Sequence, residues 1–143
     1  MSTEENKALV CCVFEELDKK NFDLLDELCA PDFAGHFPGT PQPITLEELK
    51  QVAASEYAAF PDYYHTIEDI IAEGDKVAVR LTNRGTHTGE FMGIPPTGKK
   101  IEYGALFFGR VTNGKVAEVW VVEDNLGMMQ QIGMELKLKK AEE

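Results

Sequence analysis

At Tyr63 the hydrophobic residues change their period, and that change restricts the chain to a small set of folds. Before it, apolar side chains recur at three- and four-residue intervals, the spacing of one helix face. Ser2 and Glu5 match a capping box, and Val10, Val13, Phe14 and Leu17 continue on one side, which predicts a helix over about Thr3 to Lys20. "FDLLDELCAP" predicts a short second helix stopped by Pro31, and "DFAGHFPG" a short strand. Thr45 and Glu48 form another capping box, opening a helix that carries Leu46, Leu49, Ala53, Tyr57 and Phe60 on one side and ends at Pro61. After Tyr63 the pattern is extended. "YYHTIEDIIAEGDKVAVRLTNRGTHTG" holds two runs joined at "EGDK", and "KKIEYGALFFGRVTNGKVAEVWVVED" holds two more joined at Asn113-Gly114, a strong hairpin signal. "NLGMMQQIG" predicts a closing helix capped by Gly133, and "MELKLKKAEE" a polar tail.

Helices followed by a meander of long antiparallel strands define an α+β fold. The helices must cover one face of the sheet. The twist of four long strands then curls the sheet into a cone with an open mouth, a shape with an interior pocket for a small molecule. The length of 143 residues predicts one domain, 1–143.

Composition removes several functions. A formal net charge of −11 argues against nucleic acid and against anionic membrane surfaces as partners. No apolar run approaches the ~20 residues of a membrane span, and "MSTEENK" is not a signal peptide, so a cytoplasmic location is expected. Cys11, Cys12 and Cys29 are odd in number and lack a CxxC pair; they are read as buried apolar thiols. His36, His65 and His87 have no neighbour at metal-ligand spacing, so no metal site is expected. Phosphate-binding glycine loops and a GxSxG elbow do not occur. What remains is carboxylates, histidines and an apolar cavity, which points to acid–base chemistry or plain binding.

Strand parity sorts the candidates into two sets without naming the inside. Glu118, Trp120, Val122 and Asp124 share one face of the last strand; Ala117, Val119, Val121 and Glu123 share the other. Trp120 suits a cavity wall. Asp124 has two readings, a pocket carboxylate with a raised pKa or the N-cap of the last helix, and spacing alone favours the cap. By itself His87 reads as satisfying a turn, His36 as a hydrogen-bonded core residue and His65 as solvent-facing. Arg80 interrupts an apolar strand and needs a partner or an aqueous pocket.

The motifs "FPD", "EGDKVAVR", "GTHTGEF", "GIPPTGK" and W-x-x-x-D, with "PDFAGHFPG" before them and "NGKVAEVWVVEDNLGMMQQIG" after, resemble the SnoaL-like polyketide cyclases, also called predicted ester cyclases. The resemblance runs from about Asn6 to Gly133. It implies the nuclear-transport-factor-2-like cone, a homodimer, no cofactor and no metal. It further implies intramolecular aldol ring closure of a polyketide or keto ester, with Asp124 as general acid/base and His36 and His87 as polar pocket groups. Trp120, Arg110, Arg80, Phe108 and Phe60 are the expected contacts to a small apolar or aromatic ligand. A histidine that assists the aspartate in characterised members aligns with "FFGRV", where this chain has Arg110, a fixed charge that cannot exchange protons as imidazole does. Two alternatives follow. One is a non-catalytic small-molecule-binding domain on the same cone. The other is an epoxide hydrolase or dehydratase using Asp124 with Arg80 or Arg110, and Asp62 or Glu118 as the second carboxylate.

Overall fold

A computed structural model describes residues 1–140 of the chain. The polar tail predicted at the C-terminus carries no regular element up to Lys140, and its last three residues lie outside the described part. In order, the elements are α1 (Thr3–Asp18), a 3-10 turn (Phe22–Leu24), α2 (Leu25–Leu28), β1 (Cys29–His36), α3 (Leu46–Ala59), β2 (Tyr64–Glu73), β3 (Lys76–Thr86), β4 (Lys100–Thr112), β5 (Lys115–Glu123) and α4 (Asn125–Gln131). Both predicted capping boxes form: Ser2 Oγ accepts from the Glu5 amide and Thr45 Oγ1 from the Glu48 amide, while each glutamate returns a bond to its cap residue's N–H.

The sheet order is β1-β5-β4-β3-β2. The last four strands form the expected antiparallel meander. The strand predicted in "DFAGHFPG" lies earlier in the chain: it begins at Cys29, ahead of Pro31, ends at His36, and pairs parallel to β5 as an edge strand. An edge tolerates the proline because its missing N–H faces no neighbour. The ladder is irregular there, between Cys29 and Ala34.

One face of the sheet is covered by the helices. β3 buries Val77, Val79, Leu81 and Asn83 on it, and β4 buries Tyr103, Ala105 and Phe107. Two apolar clusters result. The larger joins α1 to the sheet through Val10, Val13, Phe14, Phe33, Leu81 and Phe107. The smaller joins α3 and α4 to the sheet's other end through Ala53, Tyr57, Phe60, Tyr63, Tyr103 and Met128. The opposite face carries exposed Ile71, Leu106, Phe108, Trp120 and Val122. Among the described residues no helix is long and apolar enough to cross a membrane.

The connection from Gly85 to Lys100 is tied down at both ends. His87 N–H donates to Lys99 O and Gly98 N–H to His87 O, while Thr88 and Gly89 both donate to Ala59 O at the end of α3. A Cβ on Gly89 would lie 2.3 Å from Ala58 O, so only glycine allows this approach. Gly89→Ala is expected to cost about 1–3 kcal/mol, in the range of overpacking, measured by chemical denaturation; an unchanged midpoint would show that the loop does not depend on this contact.

Candidate active site

A cavity lies where the two apolar clusters meet. Its inner chamber, about 100 Å³, is walled mainly by Val13, Phe14, Cys29, Phe33, Phe107 and Val119. An outer chamber of about 200 Å³ opens past Pro38, Thr40, Phe60, Phe91 and Asn125. Phe37, Val52, Glu56, Tyr63 and Glu123 border both, so this waist carries two carboxylates and a phenol.

Helical spacing places Glu56: it is three residues after Ala53 and four before Phe60, inside the apolar stripe of α3. Strand parity places Glu123, which follows Val119 and Val121 on the inner face of β5. Burial pushes the Glu56 carboxyl up to about 8, and the nearby Glu123 charge adds to the shift. Burial likewise raises Glu123, opposed by the influence of His65 and by a long bond from the Tyr103 hydroxyl, 3.5 Å from Oε2. At neutral pH the pair therefore holds a proton, with Glu56 neutral. Tyr63 and Tyr103 share a short hydroxyl–hydroxyl bond beside them.

His65 also faces the inner chamber, against the expectation that it meets solvent. Asp18, at the end of α1, accepts from His65 Nδ1 at 2.8 Å and from the His65 amide at 3.0 Å. The Tyr57 hydroxyl donates to the same carboxylate at 2.7 Å. Burial works to raise Asp18, but the bonds from His65 and Tyr57 outweigh it and hold the group below its ordinary value. With Nδ1 donating to Asp18, a neutral His65 presents Nε2 as an acceptor. The ring is held between Phe14 and Tyr63, at centroid distances of 5.1 and 5.2 Å.

Most of the residues selected from sequence lie elsewhere. Asp124 is exposed and caps α4, with Oδ1 accepting from the Gly127 amide at 2.9 Å, as its spacing favoured. His87 is fully buried in the rim loop; its Nδ1 accepts from the Thr97 amide and its ring packs on Phe60. His36 lies on the outer face, stacked on Trp120 at 5.1 Å, with Nε2 2.7 Å from Glu118. Arg110 pairs with the other oxygen of Glu118. Trp120, Phe108 and Arg80 line a shallow groove on that same outer face, because β4 and β5 turn Phe107, Val119, Val121 and Glu123 inward. Asp62 bonds the Thr86 amide and hydroxyl rather than an arginine. Of the expected ligand contacts Phe60 lines the cavity, at its outer chamber. Glu56, Glu123 and Asn83 were not selected. The signal for each was a polar residue holding a position in an otherwise apolar face. Among the described residues no three of His, Cys, Asp and Glu converge to hold a metal ion.

A twisted five-stranded sheet closed by helices over an acid-bearing apolar cavity defines a nuclear-transport-factor-2-like protein. The family model of the SnoaL-like polyketide cyclases matches residues 8–132, and the chain belongs to that family. It is similar to IdmH from Streptomyces antibioticus, assigned provisionally as a polyketide cyclase (36% identity, 90% of this chain and 99% of that one, TM-score 0.83). AclR from Streptomyces galilaeus, assigned provisionally as a hydroxylase, matches at 27% identity over 97% of this chain and 87% of that one, with a TM-score of 0.86. A SnoaL-like protein from Jannaschia sp. CCS1, given the same provisional cyclase assignment, matches at 25% identity over 94% and 95%, with a TM-score of 0.84. Comparison with curated proteins gives no match.

The raised Glu56 carboxyl couples stability to pH. Between its ordinary value of 4.5 and its folded value of about 8, the folded chain keeps a proton that the unfolded chain has released. Its contribution is therefore full below 4.5 and is lost as pH rises through about 8. Glu56→Gln should flatten the fall in melting temperature of the native chain between mildly acidic and alkaline pH; identical pH slopes for both proteins would mean that Glu56 is ionised in the fold.

Proposed function

We propose that the protein catalyses acid–base carbon–carbon ring closure on a small, largely apolar dicarbonyl compound, such as a keto ester or short polyketide. The observation that carries this is the carboxylate pair at the waist of the cavity, where burial raises both groups and holds Glu56 protonated at neutral pH. Glu123 takes a proton from the carbon next to one carbonyl. The resulting enolate carbon forms the new bond to the second carbonyl carbon, whose oxygen takes the electron pair and then the proton of Glu56. The product is an isomer of the substrate. Passage of one proton from Glu123 back to Glu56 restores the starting state, and the electrostatic coupling of the two groups favours a single shared proton. Apolar walls keep both carboxyl groups desolvated and strengthen their interaction with developing charge.

We also infer a homodimer that covers the outer sheet face, where Ile71, Leu106 and Val122 are 65%, 59% and 65% exposed beside Phe108 and Trp120. Leu106→Glu should shift the sedimentation coefficient to that of a monomer. A monomeric native chain would remove this inference.

For the chemistry, Glu123→Gln and Glu56→Gln should each lower turnover of a β-diketone or keto ester by about 10²–10⁴-fold. The native rate should fall as pH rises past about 8, where Glu56 loses its proton. Asp124→Asn, which keeps a capping oxygen, should retain turnover. Full activity in Glu123→Gln, or loss of it in Asp124→Asn with the fold intact, would overturn the assignment.

A further inference from the structure

His65 and Asn83 stand directly opposite each other in the β2–β3 ladder. Opposed residues of an antiparallel pair point to the same face with Cβ atoms about 5 Å apart, and both side chains line the inner chamber. Each brings an acceptor without a protein partner. His65 spends Nδ1 on Asp18, which leaves Nε2 with a lone pair in its neutral form. Asn83 is 2% exposed, and its Oδ1 has no hydrogen bond. Three buried polar atoms among the described residues are orphaned in this way, on Asn6, Asn83 and His87, and Asn83 is the one whose residue belongs to the interior cavity. A buried acceptor without a donor is unfavourable, so its presence on a ligand-sized cavity calls for a donor supplied from outside the chain.

We propose that His65 and Asn83 form a hydroxyl-recognition subsite in the inner chamber, beside the waist where Tyr63 and Tyr103 stand. The substrate class is a small ring or chain compound that carries a phenolic or enolic O–H close to its carbonyl. The hydroxyl donates to His65 Nε2, and Asn83 Oδ1 adds a second acceptor beside it. Two lone-pair-bearing atoms side by side repel a carbonyl or ether oxygen. The carbonyl therefore turns away from this pair, towards the Glu56 side of the waist. The inner chamber, about 100 Å³, is smaller than the ~150 Å³ cavity that admits a benzene ring in another protein, so a ring held here extends into the waist. Asp18 is the positioning residue of this subsite: it touches no ligand but sets which imidazole nitrogen accepts. The inference rests on the reading of the cavity as the ligand site, and not on the ring-closure chemistry.

Phenol and anisole test it, because they share a ring and differ in O–H against O–CH3. In an NMR titration of the uniformly 15N-labelled native chain, phenol is expected to bind at least about tenfold more tightly than anisole and to move the His65 Nε2 resonance. Before any ligand is added, the same spectra should show the His65 proton on Nδ1, a measurement that needs no variant to fold. His65→Phe and Asn83→Leu should each narrow the phenol preference. Equal affinity for the two probes, or a proton on Nε2 in the free protein, overturns the subsite. Failure of both probes to bind overturns it together with the reading of the cavity. A phenol preference that survives alongside undiminished turnover in Glu123→Gln upholds the subsite and removes the ring-closure proposal alone.

Discussion

The carboxylate of Asp18 joins three elements that carry the rest of the structure. It ends α1, accepts from Tyr57 on α3, and takes both the amide and the imidazole of His65 at the start of β2. A carboxylate drawn this far from water would be costly without partners, and three donors offset that cost. The two apolar clusters are thereby fixed against each other along the line where the cavity opens. The same bonds set the imidazole tautomer, so a residue placed for folding also decides what His65 presents to a ligand.

Desolvation governs the chemistry of the waist. Glu56 and Glu123 stand on apolar surfaces, one on a helix stripe and one on the inner face of a strand. Burial raises both, and their mutual repulsion makes full ionisation of the pair unfavourable. Had either projected from the outer face, water would have screened it. Glu118 shows the contrast: on that outer face, bonds from His36 and Arg110 hold it below the ordinary carboxylate range.

Much of the fold was readable from local physics. The capping boxes at Ser2 and Thr45, the Asn113-Gly114 hairpin, the meander and the curled sheet are consequences of residues close in sequence. The parallel pairing of β1 with β5 was not readable, because it joins segments more than eighty residues apart through backbone bonds that leave no pattern in side chains. The site was the least legible part. Trp120, Phe108 and Arg80 were assigned to a pocket wall on residue type, yet the outer face of this sheet is also apolar, and type alone cannot separate two apolar faces. Glu56, Glu123 and Asn83 could have been found by asking which polar residues hold a core position in their element's period.

By itself the sequence determined the element order, the caps and turns, the antiparallel sheet and the family, because each follows from spacing along a short stretch of chain. Tertiary structure decided which face of β5 is inside. That choice depends on where the helices dock, and it placed Glu123 in the cavity while Asp124, its neighbour, became a helix cap at the surface. It also brought Glu56, His65, Asn83 and Glu123 from four separate elements around one space. The polarity of that space belongs to no segment alone, since desolvation is a property of everything packed around a group.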